Sequence, residues 1–451
     1  MSVLRWGYRV IVGVLFCLPC SGFAVNQDFS PPPEERQLPL AMHSVMRERP
    51  QVTVGHAGQA EQTTGADLIG SDNRVIQAAV EYVAALGGGT VFISPGTYLM
   101  WDSLHLRSGV TVTGIPGKTI LKKADARVTP LVRDGDFGEQ QFTVEDPSGF
   151  EVGYGVTIRD DRSGGFHTTV ARITGRDGNT FSIDKPLMAD CMVNNNARAA
   201  TVFPVVSGYD IEGAHIENIT IDGNKANNSH LNGCRGAGLF LYRAFGTVIK
   251  GCVVANYNGD GISFQQSNDV AVLECVSHDN ASLGLHPGSG SQRPTVKNCL
   301  ARGNGTDGLF LCWRVRHGLF EGNILEHNGQ FGISIGHKDS DNLLRRNTIR
   351  SNGECGLYFR NESTAMAAHR NRIEDNTIEN NGVKKPSPGI RIRGYTNDLV
   401  FKENTIRDTR ESGQQTQTVG ILIEEHVGEV VLKDNRIQAQ DEVVDRRKTP
   451  R

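Results

Sequence analysis

Aromatic residues are scarce: Phe, Tyr and Trp together make up 7% of the 451 residues, which suits thin strands and many turns better than a few thick helices. Charge of one sign is lacking as well. The 47 Lys+Arg face 50 Asp+Glu, and this balance excludes a globally basic nucleic-acid binder. After the N-terminus no apolar run reaches ~18 residues, so no spanning helix is expected. No Cys/His spacing resembles a zinc site. The segment HPGSGSQR, which opens at His286, lacks the Lys-Ser/Thr of a phosphate loop. Glycine is the residue in excess, at 52 copies without a G-X-Y period, so collagen is excluded.

At the N-terminus, Arg5 and Arg9 precede the apolar run Val10–Cys20, and Gly22-Phe23-Ala24 offers small residues at a cleavage site. Residues 1–24 read as a secretory signal peptide, with a membrane anchor as the other reading. The expected location is secreted or periplasmic, with no membrane partner after cleavage. Cys17 and Cys20 leave with the signal, and the odd number of cysteines that remain does not resemble a disulfide scaffold.

An internal repeat dominates the second half. A Gly followed by apolar-x-apolar recurs at Gly238, Gly261, Gly284, Gly308, Gly332, Gly356, Gly389 and Gly420, in steps of 23, 23, 24, 24, 24, 33 and 31 residues. Nine residues before five of these glycines stand Cys252, Cys275, Cys299, Asn323 and Asn347; four residues before stand Asn280, Asn304, Asn328 and Asn352. Like residues at one position of every unit point to stacked ladders. Each unit holds short β-rich runs between Asn/Gly turns and nothing like a helix pair, which excludes helical solenoids and leaves a parallel β-helix. Coils would stack at ~4.8 Å. The residues one and three after each Gly would point inward and the residue two after it outward. Cys252, Cys275 and Cys299 then read as buried thiols packed like small hydrophobes, or as an oxidised pair within disulfide range.

The chain divides on these signals into the signal (1–24), a flexible lead-in (25–70), an N-terminal cap with first coils (71–128), an insertion (129–203), the β-helix core (204–437) and a charged tail (438–451), expected to be disordered from Asp441 on. Asp72–Leu86 carries Val75, Ile76, Ala79, Val80 and Val83 on one face, an amphipathic helix ended by Gly87-Gly88-Gly89. Such a helix would cover the open end of a stacked sheet. Phe142–Val144, Gly155–Ile158, Val170–Ile173 and Phe181–Ile183 read as antiparallel strands of a small β-subdomain, which either walls a cleft or decorates the solenoid. The fold class is thus all-β, a parallel β-helix with a capping helix and an inserted antiparallel subdomain, and the resemblance that follows implies the right-handed form.

With its helix cap, the segment ITIDGN and the ladder repeat, the chain resembles the pectin-lyase-like, right-handed parallel β-helix superfamily of secreted carbohydrate-active enzymes, over residues 72–437. NGDGISF around Asp260 and FGISIGH around His337 are similar to polygalacturonase motifs. That hydrolase family expects a coil with paired aspartates where this chain reads Ser282-Leu283-Gly284-Leu285-His286.

Projected onto one face and its flanking turn, the outward positions give Asp260, Ser263, Gln265, His286, Asp307, Trp313, Arg314, His317, His337, Lys338, Asp339, Tyr358, Arg360, Glu362, Arg391 and Arg393. Residues 284–410 hold 19 Lys/Arg against 13 Asp/Glu, a local excess that favours an anionic ligand if it lines the groove. The chemistry expected first is β-elimination on a uronate-containing, acidic polysaccharide. Arg360 or Arg314 would neutralise the sugar carboxylate, while His337, His286 or Lys338 would act as base. Tyr358 would donate a proton; Trp313, Glu362, Arg391 and Arg393 would bind sugar. An inverting hydrolase is the second reading: Asp260 and Asp307 share a register two coils apart, ~9.6 Å at ~4.8 Å per coil, near the carboxyl separation such enzymes use. Asp before Gly is also simply a good turn residue. A glycan-binding surface protein without turnover is the third. Asp339 and Asp341 of HKDSDN could offer oxygens to Ca²⁺; no other cofactor is expected.

Overall fold

A unit of 23–24 residues shared among three sides leaves each strand about three residues long, and the computed structural model, which describes residues 48–447, has this form. One coil runs through Leu319–Glu321, Ile324–Glu326 and Ile333–Ile335, and each strand pairs in parallel with its counterpart a coil away. The coils build one 13-stranded and two 11-stranded sheets around a single core. Inside, aliphatic ladders run in register, for example Leu239, Ile262, Leu285, Leu309, Ile333, Leu357, Ile390 and Ile421, all buried. Full burial of each such side chain contributes roughly 2 kcal/mol.

Two corners are held by asparagine ladders. Asn280, Asn304, Asn328 and Asn352 each donate through Nδ2 to Oδ1 of the next member, at 3.0 Å, ending on Asn381 and Gln417. The Asn304, Asn328, Asn352 and Asn381 oxygens also accept the backbone N–H of the preceding member, so these buried amides are satisfied. The second ladder runs Asn323, Asn347, Asn376, Asn404 and continues the line of Cys252, Cys275 and Cys299. Those cysteines are buried free thiols; the oxidised pair is not formed.

The helix Asn73–Ala85 caps the first coils, with Asp72 accepting from Arg74 N at its N-terminus and Ile76, Ala79, Val80 and Val83 buried beneath it. The lead-in differs from expectation in its second half. Gln51–His56 and Leu68–Gly70 are strands that extend the 13-stranded sheet, because Val52 and Val54 bury against the cap. Residues 1–24, read from the sequence as a signal peptide, and residues 25–47 lie outside the described residues. Residues 128–200 form a six-stranded antiparallel sheet with its own core around Phe142, Phe150 and Phe181, turning at Gly178 where φ is +58°. The tail also differs: Asp441–Asp445 pairs with Val419–Ile423 and closes the last coil. Val443 and Val444 supply the strand, while its acids keep the exposed edge from pairing further. Among the described residues no helix is long and apolar enough to cross a membrane.

Candidate active site

The outward row of the sheet that ends at Asp441–Asp445 reads Phe240, Ser263, His286, Phe310, Ser334, Tyr358 and Arg391, one per coil. Two residues further along each strand runs a second row: Tyr209, Tyr242, Gln265, Gly288 and Cys312, then Gly336 and Arg360 by the repeat. The chain turns off this sheet just beyond the second row. There Trp313-Arg314 and His337-Lys338 stand as consecutive left-handed residues, with φ of 62°, 68°, 48° and 67°. Holding such side chains at positive φ costs of order 1–2 kcal/mol each, and it turns both pairs outward beside the sheet.

One histidine–carboxylate pair, His105 Nε2 at 2.8 Å from Asp102 Oδ2, stands at the N-terminal end of this row in the register of Ser207 and Phe240, and two dyads lie further along the face. His286 Nδ1 is 2.7 Å from Asp260 Oδ2. An ionised carboxylate only accepts, so Nδ1 carries the proton and Nε2 presents a lone pair. That Nε2 is buried, and neither it nor Gln265 Oε1 beside it has a partner among the described residues. The absence of a side chain at Gly288 makes room for both: a Cβ there would lie 2.6 Å from Gln265 Oε1 and 3.0 Å from His286 Nε2. In the second dyad His337 Nε2 is 2.9 Å from Glu362 Oε1. Burial holds the His337 imidazole below its ordinary pKa, Arg360 adds to this, and Glu362 opposes it.

The dyads are joined by contacts. The His286 ring meets Phe310 edge-on at 5.4 Å between centroids, and the Arg360 guanidinium lies 4.4 Å over the same Phe310 ring. Arg360 then reaches Glu362, Nε to Oε1 4.0 Å, and Trp313 lies 5.5 Å from His337. Further along, Tyr358 stacks on Phe331 at 4.3 Å and its hydroxyl accepts from Arg393 Nη1 at 3.1 Å. Arg391 and Arg393 share Glu424.

Several sequence expectations change here. Arg360 is not a free cation: it donates to Ser334 Oγ, Leu311 O and Asp339 Oδ2. Burial raises the Asp339 carboxyl, while Arg360 and the N–H groups of Val315 and Gly336 pull it back. Asp341 faces elsewhere, with both oxygens on Arg370. Asp339 and Asp341 therefore share no ligand sphere for Ca²⁺. Asp260 and Asp307 do stand in one register two coils apart, but both are buried, accepting the N–H of Leu283 and of Phe331 respectively. Burial pushes Asp307 up to about 7, against the Phe331 N–H and Arg360. His317 belongs to another corner, near Asp341.

The basic excess is mostly spent on other faces. Arg345 and Arg346 pair with Glu321, Arg350 with Glu326, Arg372 with Glu374 and Arg407 with Glu379. Of the groove cations, Arg314 and Lys338 make no ion pair among the described residues. Sequence reasoning missed Phe310 and Ser334, although both sit two after the repeat glycine; without charge they drew no notice.

A family profile described as the right-handed β-helix region matches residues 214–368 and 316–443. No curated protein matches the chain. Among solved structures, the A-module of Azotobacter vinelandii mannuronan C-5 epimerase AlgE6 is similar at TM-score 0.53 and 16% identity, covering 84% of this chain and 96% of that one. The AlgE4 A-module gives 0.53 and 19%, covering 83% and 94%. The Dettilon tailspike protein gives 0.52 and 12%, covering 87% of this chain and 62% of its own. These are likenesses of fold. With its coils, ladders and profile match together, the chain belongs to the right-handed β-helix family, within the pectin-lyase-like superfamily.

Proposed function

We propose that this protein is a secreted enzyme of acidic polysaccharides that removes the C5 proton of a uronate residue and cleaves the chain by β-elimination. One observation carries the reading: two histidine–carboxylate dyads on one outer face, two coils or ~9.6 Å apart along the stack, joined through Phe310 and Arg360. His286, oriented by Asp260, is the base, since its Nε2 lone pair has no partner among the described residues. The C5–H electrons form the C4–C5 double bond as the C4–O bond breaks. His337, whose protonated form Glu362 favours against burial and Arg360, gives its proton to the departing oxygen. Arg314 and Lys338 neutralise the sugar carboxylate and so stabilise the enolate-like charge. Trp313, 39% exposed, stacks on a sugar ring, and Tyr358, Arg391 and Arg393 bind the next residues of the polymer.

Epimerisation is the second reading. It shares the first step and returns a proton to the opposite face of C5; in its favour, the fold is similar over most of the chain to two modules titled mannuronan C-5 epimerases. One experiment separates the outcomes. The purified protein is incubated with a panel of polyuronates in D₂O, following ultraviolet absorbance, reducing ends and deuterium at C5. Absorbance supports elimination, and deuterium without absorbance supports epimerisation. Reducing ends alone mean hydrolysis, and binding without any of these means a glycan-binding protein.

A further inference from the structure

The outer face is not open along its whole length. Segment 228–236 leaves the sheet and crosses it as a strap. Leu231 N donates to Asn258 O at 2.9 Å and Asn258 Nδ2 to Asn228 O at 2.7 Å, which fix one end. At the crossing, Gly233 O accepts from Ser263 Oγ at 2.7 Å and from Gln265 Nε2 at 3.5 Å. Only glycine fits there, because a Cβ would overlap Asp260 Oδ2. Beyond it, Arg235 Nε donates to Phe166 O at 2.6 Å, so the strap is pinned to the inserted subdomain. Past the pin the insertion stands over the sheet, with Lys185 Nζ 3.5 Å over the Tyr209 ring, and a cavity lies between Thr169, Lys185 and Met188 on one side and Tyr209, Arg235 and Tyr242 on the other.

Burial along the row records the effect. Phe240, Ser263, Gln265 and His286 are at most 3% exposed although all point away from the core. On the other side of His286, Phe310 is half-buried and Ser334 lies covered by Arg360, and the row opens from Tyr358 on, where the Arg391 side chain is 36% exposed. The groove is therefore walled off on one side of His286 and open on the other.

We infer that a polysaccharide occupies this groove only with one of its ends at the strap, so that the enzyme works from chain ends and releases short units. A chain running through would have to displace Gly233 and break the contacts of Ser263, Gln265 and Arg235. This inference rests on the polyuronate reading above and adds the mode of attack. It also gives the insertion a role, as the anchor of a groove-closing strap.

The test uses oligouronates carrying a bulky tag at the reducing end or at the non-reducing end, with binding measured by calorimetry and products by size. A tag at one end, and only one, should lower affinity about tenfold or more, and polymer digests should yield short products from the first time point with little fall in viscosity. Arg235→Ala, which cuts the pin, should reduce that end preference to about threefold or less. If both tagged oligomers bind as well as the untagged one, or early digests show mid-length products with collapsing viscosity, chain-end attack is refuted while the polyuronate reading stands. If no untagged oligouronate binds, the polyuronate reading itself fails and this inference falls with it.

Discussion

Replacing Asp307 by Asn separates a structural carboxyl from a chemical one. The Asp307 carboxyl has an ordinary value of 3.8 and is held at about 7 by burial. A group whose folded pKa is raised binds its proton more tightly in the folded state. Its contribution to stability is complete below the unfolded value and is lost as pH climbs to the folded one. At 1.36 kcal/mol per pH unit, the protein should lose up to about 4 kcal/mol between pH ~4 and ~7 through this residue. Asn cannot ionise, and its amide oxygen can still accept the Phe331 N–H. Asp307→Asn should therefore match the wild type near pH 4 and exceed it at pH 8.

With an unfolding entropy of ~2.1 cal/mol/K per residue over a solenoid of this length, the gain at pH 8 amounts to roughly 3–5 °C in melting temperature. Thermal scans of both proteins at pH 4, 6 and 8 provide the measurement. Equal melting temperatures at pH 8 would refute the burial argument. Turnover is the second readout and should be retained. A loss beyond about a hundredfold in a variant that has gained stability would return Asp307 to the chemistry, and with it the hydrolytic reading that pairs it with Asp260.

The remaining predictions concern the dyads and the ladders. Asp260→Asn should leave the fold intact and lower turnover about 10²–10⁴-fold, because Nδ1 loses the acceptor that fixes the His286 tautomer; turnover within a few-fold of wild type would remove His286 as base. Glu362 is the group that raises the His337 pKa against burial and Arg360, so Glu362→Gln should move the alkaline limb of the rate profile, already below 6.5, to lower pH; a shift upward contradicts the assigned pair. Asn328→Ala strips partners from Asn304, Ala301 O and Asn352 at once, and at 1–3 kcal/mol per orphaned group should cost about 3 kcal/mol or more in denaturant titrations.

Whatever follows the 24-residue period was legible in the sequence. The glycines at 238–356 set the coils, and alternation then sorted Leu309 inward and His286 outward without reference to any contact. The asparagine ladders were legible for the same reason, since a side chain that bonds to its own copy must recur at the period. Contacts made across the period were not. Nothing in the order of residues ties Gly233 to Asp260, 27 positions on, or Arg235 to a carbonyl in an insertion that has no repeat. The engagement of Arg360 by Asp339 was hidden likewise, because both were counted as outward charges and only their shared burial makes them partners.

This division bears on how such a site can be built. Stacking alone produces a uniform wall, in which each coil offers the same outward positions and no coil is distinguished as the place of reaction. What singles out the coils of His286 and His337 is aperiodic: a strap that buries one dyad, and the large side chains of Trp313 and His337 on a left-handed turn that carries only Ser289 and Gly290 in the neighbouring coil. The strap removes water from the Asp260–His286 pair, where low dielectric strengthens the interaction between carboxylate and imidazole, while Trp313 and Tyr358 remain within reach of solvent. The repeat supplies the spacing, and its interruptions supply the proposed site. In a β-helix of this kind the reacting residues are therefore best sought where outward positions of the groove sheet fall under a segment that breaks the period.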